Sequence, residues 1–157
     1  MTVPDIPENS LTKHINKLIS ICQKLCQTDY VEDDDAFIFN PPANISDIEL
    51  WEENNKVKIP SSYKDWLLFS NGTKLCNSIV ELYSLENFIV NNDLKPYNVP
   101  DEFIVIGESV VEEVYGFSVE TGKFMIFGEY EDMEATDFSE ILEWVTDILY
   151  LNPQSSL

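Results

Sequence analysis

Residues 46–52, Ser46-Asp47-Ile48-Glu49-Leu50-Trp51-Glu52, lead through Val57-Lys58-Ile59-Pro60 and Tyr63-Lys64-Asp65-Trp66-Leu67 to Asn71-Gly72, the best-punctuated part of the chain. Ser46 with Glu49 three residues on has the spacing of a capping box, in which the serine accepts a backbone N–H and the glutamate reaches back to the cap. A helix is therefore expected from there to about Asn55. Pro60 suits the first turn of a second helix, and Tyr63, Trp66, Leu67 and Ser70 keep helical spacing up to Asn71-Gly72. Such a pair readily takes the left-handed conformation that ends helices.

Toward the N-terminus, Leu11, Ile15, Leu18, Cys22 and Leu25 fall on one stripe, opposite Lys13, Lys17, Ser20 and Lys24. That pattern predicts an amphipathic helix over about residues 10–27. Thr28 to Asn44 breaks the period with the acidic run Glu32-Asp33-Asp34-Asp35, then Phe37-Ile38-Phe39 and Pro41-Pro42, and is expected to be a long connection. Beyond Gly72 the period shortens. Strands are expected at Ser78 to Tyr83, Phe103 to Gly107, Glu113 to Val119 and Lys123 to Glu129, with Glu120-Thr121-Gly122 as a hairpin turn. Glu86 to Val90 is ambiguous. Asp137 and Glu140 repeat the capping-box spacing and open a closing helix with Phe138, Ile141, Leu142, Val145, Ile148 and Leu149 on one face. Helices, a meander of strands and a last helix indicate an α+β fold with an antiparallel sheet, packed with N-terminal helices and a C-terminal helix. At 157 residues a single domain spanning 1–157 is expected.

Charge narrows the function classes. The chain carries 29 acidic and 9 basic residues, all of the latter lysine, for a net −20. Residues 76–157 hold 17 of the acidic residues but only Lys95 and Lys123, a net −15. Such a surface disfavours direct binding to nucleic acid or to anionic lipid and favours a basic partner. The acidic, polar start from Met1 to Leu11 is not that of an export signal. The longest apolar runs, Trp66 to Phe69 and Phe103 to Ile106, are far shorter than a membrane span of roughly 18 residues. A soluble, cytoplasmic protein is expected, and its three cysteines do not read as a disulfide framework.

No catalytic arrangement stands out. His14 is the only histidine and sits at the edge of a helical stripe. Cys22 and Cys26 are one turn apart, with His14 two turns earlier and Cys76 far along the chain, a poor match to metal-ligand spacings. The five glycines are too dispersed for a phosphate-binding loop. A carboxylate pair such as Glu129 with Glu131 or Asp132 has the chemistry of an acid and a base, but among 29 carboxylates some suggestive pair is expected by chance. Asp33 to Asp35 and Glu131 to Glu134 lack the alternating ligands and central glycine of a calcium loop and read as solvated charge. No metal, cofactor or catalytic residue is assigned.

The sequence Ile48-Glu49-Leu50-Trp51-Glu52, Val57, Ile59-Pro60, Tyr63-Lys64, Trp66-Leu67 and Asn71-Gly72 resembles the signature of the SUKH superfamily. Val80 to Leu85, Phe103 to Gly107, Tyr115 to Val119, Gly122 and Phe138 to Leu142 resemble its later strands, turn and closing helix. The similarity covers about residues 45–150. One departure is Glu108-Ser109-Val110-Val111-Glu112-Glu113, where many members have a turn rich in glycine and aspartate.

The resemblance implies a SUKH-like α+β fold without enzymatic activity, used by bacterial members as immunity proteins against toxins and by others as interaction modules in signalling. The leading expectation is an immunity protein, or antitoxin, that neutralises a basic, nucleic-acid-acting toxin. The alternatives are a regulatory interaction module with no toxin partner and a carboxylate-dependent hydrolase. Candidate partner-binding residues fall in two acidic clusters with an aromatic residue each: Glu112, Glu113 and Tyr115, and Glu129, Tyr130, Glu131, Asp132 and Glu134. Trp144 lies off the apolar face of the last helix and is expected to be either half-exposed or packed on a neighbouring element.

Overall fold

The computed structural model describes residues 1–28 and 36–155, with side chains described as far as Leu151. The run Glu32-Asp33-Asp34-Asp35 lies outside them. In chain order the elements are α1 (Thr12–Cys26), β1 (Ile38–Phe39), α2 (Ile45–Asn55), α3 (Ser61–Leu67), β2 (Thr73–Leu75), β3 (Val80–Leu82), β4 (Phe103–Ser109), β5 (Glu113–Ser118), β6 (Phe124–Phe127), β7 (Asp132–Ala135) and α4 (Phe138–Ser155). This is the α+β fold expected.

The expected helix pair forms, with its first cap displaced. Asn44, not Ser46, caps α2: its Oδ1 accepts the Asp47 N–H at 2.8 Å, and the Ser46 hydroxyl donates to the same oxygen. The Ala43 N–H donates to the Leu67 carbonyl at 2.8 Å. That bond fixes the chain just before Asn44 and lets the helix begin two residues early. Lys56, left-handed at φ 54°, ends α2. The Glu52 side chain then turns inward. Only 5% exposed, its Oε2 accepts the Ile59 N–H at 2.8 Å and pairs with Lys64 Nζ at 3.1 Å. Regular α3 stops at Leu67, yet Tyr63, Trp66, Leu67 and Ser70 are all buried as their spacing predicts.

All seven strands pair antiparallel with their sequence neighbours, an unbroken meander. Three strands are not where the sequence pattern places them. Phe37-Ile38-Phe39, read as part of a connection, supplies edge strand β1, pairing with β2, which is also missing from the expected set. Both are too short to show an alternation. The acidic run read as a loop after β6 partly becomes edge strand β7, with Phe127 opposite Asp132 and Phe124 opposite Ala135. Asp132 and Glu134 face water there while Ala135 is buried, so the alternation is written in residues of low strand propensity. Charge on an exposed edge also discourages pairing with other chains.

Pleating sends Ile104, Tyr115, Phe117, Phe124 and Ile126 into the main core with α1, α3 and α4, while Phe103, Val105 and Phe127 meet Val99 in a second cluster on the other face. The six expected face residues of α4 are all buried. Asp137 and Glu140 cap its start, accepting the Ser139 and Thr136 N–H groups at 2.9 and 3.2 Å. No helix among the described residues is long and apolar enough to cross a membrane.

Removing the Glu52 carboxylate strands a buried N–H and frees Lys64. Glu52→Ala is expected to lower the unfolding free energy by about 2–4 kcal/mol, and Glu52→Gln, which keeps an acceptor, by roughly half as much. Denaturant unfolding of the two variants checks this ranking.

Candidate interaction surface

An antiparallel meander places alternate connections at the same end of the sheet. The β4–β5 turn and the β6–β7 loop therefore emerge together, which brings the two acidic clusters of the sequence into one place. Ser109 and Glu113 form the last β4–β5 pair, leaving Val110-Val111-Glu112 as a three-residue turn. A residue in the left-handed region commonly closes such turns, usually glycine. Here Glu112 does so, at φ 62°, in a conformation that costs a residue with a Cβ atom. The β6–β7 loop is closed by the Gly128 N–H donating to the Glu131 carbonyl at 3.1 Å. A Cβ on Gly128 would stand 2.4 Å from that oxygen, so only glycine fits.

Glu129 lies within hydrogen-bonding reach of Glu112, and this carboxylate neighbour holds the fully exposed Glu112 carboxyl above its ordinary pKa of 4.5. Glu131, Asp132 and Tyr130, the last 93% exposed, complete the surface. No salt bridge among the described residues reaches Glu112, Glu129, Glu131 or Asp132. The two lysines of the second half are engaged elsewhere. Lys95 donates to Asn92 Oδ1 and the Asp101 carbonyl, and Lys123 pairs with Glu134 at 3.2 Å.

The other candidates sit differently. Glu134 lies along β7 opposite Met125, away from the loop. Tyr115 is buried in the core, and burial pushes its phenol up strongly, so its ring is not on the surface. Half-buried Glu113 faces inward at the base of the turn. Its Oε1 accepts the Trp144 indole N–H at 2.8 Å, with longer contacts from Ser109 Oγ and Tyr115 OH at 3.4 and 3.5 Å. Trp144 is thus packed on the hairpin through the carboxylate that neighbours Glu112. The sequence pattern passed over the apolar residues of this end, exposed Val110 and Val111 in the turn and Tyr150 and Leu151 late in α4. Their only signal is apolar side chains standing off any buried face.

His14 Nε2 meets Glu143 of α4 at 3.2 Å, joining α1 to α4. All three cysteines are free. Burial first, and then the nearby Cys26 and Cys76, push the Cys22 thiol far up, which keeps it protonated and a poor nucleophile or ligand. No group of three or more His, Cys, Asp or Glu among the described residues could hold a metal ion.

The folded state holds the Glu112 proton more tightly than the unfolded chain does. The corresponding stability is complete below pH 4.5 and is lost as pH rises through the raised folded value. Glu112→Gln should therefore gain stability relative to the parent between about pH 4 and pH 7, measured by denaturant unfolding at both. By contrast, Glu113→Ala, which strands the Trp144 N–H, should cost about 1–2 kcal/mol at neutral pH by the same measurement.

Residues 42–144 match the SMI1 / KNR4 family (SUKH-1), a span that runs from the approach to α2, through strands β2 to β7, to Trp144. The chain is also 33% identical over 75 residues to the uncharacterised protein YnaB of Bacillus subtilis (strain 168), covering 48% of this chain and 50% of that protein. It thus spans about half the length of that relative. With the family match extending over more than half of its residues and an α+β meander beneath it, the chain belongs to the SMI1 / KNR4 (SUKH-1) family.

Proposed function

We propose that this protein is an immunity protein: it binds a cognate protein toxin through the acidic end of its sheet and neutralises it without catalysis of its own. Family membership supports a role in protein recognition. The observation that carries a basic partner is the gathering of Glu112, Glu129, Glu131 and Asp132 at one end, with no lysine paired to them among the described residues. A toxin acting on nucleic acid presents lysine and arginine to phosphates, so an inhibitor covering that face gains from being acidic. The same charge disfavours nucleic acid and anionic lipid as partners. Backbone strain at Glu112 fits this reading, since strained residues cluster at functional sites. Hydrolysis would need a carboxyl pair with walls to exclude water, whereas Glu112 stands fully exposed beside Glu129. The three free thiols fit a reducing compartment such as the cytoplasm.

Co-expression with the toxin encoded beside this gene tests the proposal. Growth rescue and co-purification are expected, and the absence of both would sink it. Glu112→Lys combined with Glu131→Lys should slow association with that toxin tenfold or more at low salt, and the gap should narrow as salt rises. Unchanged kinetics would remove this end of the sheet from the interface.

A further inference from the structure

Beside the acidic turn lies a cleft of about 530 Å³ between Val111 and Glu113 of the β4–β5 hairpin and Trp144, Ile148, Tyr150 and Leu151 of α4. Its apolar walls are open to water: Val111 is 44%, Tyr150 54% and Leu151 61% exposed. Large side chains are common on protein surfaces one at a time, but here five apolar or aromatic residues from two elements enclose one concavity. The charged residues lining it, Glu113 and Asp147, are both acidic, and Glu112 adjoins it between Val111 and Glu113. The Glu113–Trp144 hydrogen bond holds the indole in place, so the cleft exists before anything enters it.

We propose that this cleft receives an apolar side chain of a basic protein partner, flanked on that partner by lysine or arginine that meets Glu112, Asp147 and the carboxylates of the β6–β7 loop. The inference rests on the reading of a basic protein partner and adds where its apolar anchor seats. Charge selects this occupant over the alternatives. A second copy of the chain, at a net −20, would bring an acidic rim against an acidic rim, and an anionic lipid surface would be repelled in the same way. The arrangement is that of an interface hot spot, with a buried apolar anchor at the centre and charge around it. Steering by the rim and retention by the cleft are separable: the first sets the association rate, the second the dissociation rate.

The probe is a set of three synthetic helical peptides of equal length. One carries leucines on one face and lysines on the other, one has its leucines replaced by serine, and one has its lysines replaced by glutamate. They are titrated into the isotope-labelled full chain while the Trp144 indole N–H and the Val111 and Leu151 amides are followed by NMR. The leucine–lysine peptide should shift these resonances and bind at least tenfold more tightly than the serine–lysine peptide, and the glutamate peptide should leave them in place. The exposed-site variants Val111→Ser and Leu151→Ser, folded by circular dichroism, should each lower that affinity several-fold while leaving the weak serine–lysine binding unchanged. The proposal is overturned if the two lysine peptides bind alike, if the variants bind as the parent does, or if sedimentation shows a dimer that Val111→Ser dissociates. Toxin rescue separates the two readings. Rescue undiminished by Val111→Ser with Leu151→Ser overturns the cleft and leaves the immunity role standing, whereas peptide seating without rescue overturns the immunity role and leaves the cleft standing.

Discussion

Glu52 is a carboxylate taken out of water between two short helices, and most of what the chain builds afterwards takes its position from there. One oxygen accepts the Ile59 N–H and meets Lys64, so α2, the extended link before Pro60 and α3 are tied at a single atom. A buried charge is tolerated only where its bonds are complete, which is why the geometry is exacting. Lys64 is about a third exposed and keeps part of its hydration, which lightens the desolvation cost of the pair. From α3 the constraint spreads outward. The Leu67 carbonyl sets the start of α2, Ser62 Oγ accepts the Phe138 N–H at the start of α4, and Tyr63 and Trp66 pack on Phe138 with ring centroids 4.7 and 5.7 Å away. The residues after α3 do the same for the sheet: Gly72 receives the Asn40 N–H beside β1, and the Asn71 side chain receives the Leu85 N–H after β3.

Position then passes along α4 to the candidate interaction surface. With its first turn fixed against α3 and its apolar face buried on β6 and β7, α4 carries Trp144 to the β4–β5 hairpin, where Glu113 receives the indole N–H. The meander contributes independently, because nearest-neighbour pairing puts the β4–β5 and β6–β7 connections on the same side whatever their sequences. An acidic turn and an acidic loop separated in sequence by β5, β6 and the turn between them thus come to one end of the sheet. The fold supplies the convergence and the local sequence supplies the charge.

The sequence made the helices legible because each has a periodic face, punctuation or both: the stripe of α1, Pro60 before α3, Asp137 with Glu140 before α4. Where two caps overlap, as Asn44-x-x-Asp47 and Ser46-x-x-Glu49 do, sequence spacing cannot rank them, and the Ala43–Leu67 hydrogen bond that does so is a tertiary fact. The long strands β4 and β5 were legible for a similar reason. By contrast, β1 and β2 are held by their neighbours rather than by pattern, and β7 is written in aspartate and glutamate, whose strand propensity is poor. At the surface, the acidic side chains could be found from composition, but their convergence could not. Tyr115 shows the limit most plainly. Next to an acidic pair it looks like an exposed anchor, yet strand alternation after a turn of fixed length turns its ring into the core.

Glu112 and Glu113 divide between them two demands that the proposed binding end would have to meet. Glu113 gives up part of its exposure to receive the Trp144 N–H, and so makes the hairpin rigid against α4. Glu112 does the opposite: it takes a left-handed backbone that glycine would adopt at no steric cost, and stands beside a second carboxylate. Neither feature of Glu112 helps the chain fold. Both are what a turn would show if it were kept for presenting negative charge to a partner whose cations relieve the repulsion on arrival, with the rigidity supplied by Glu113 sparing that partner the cost of ordering the surface.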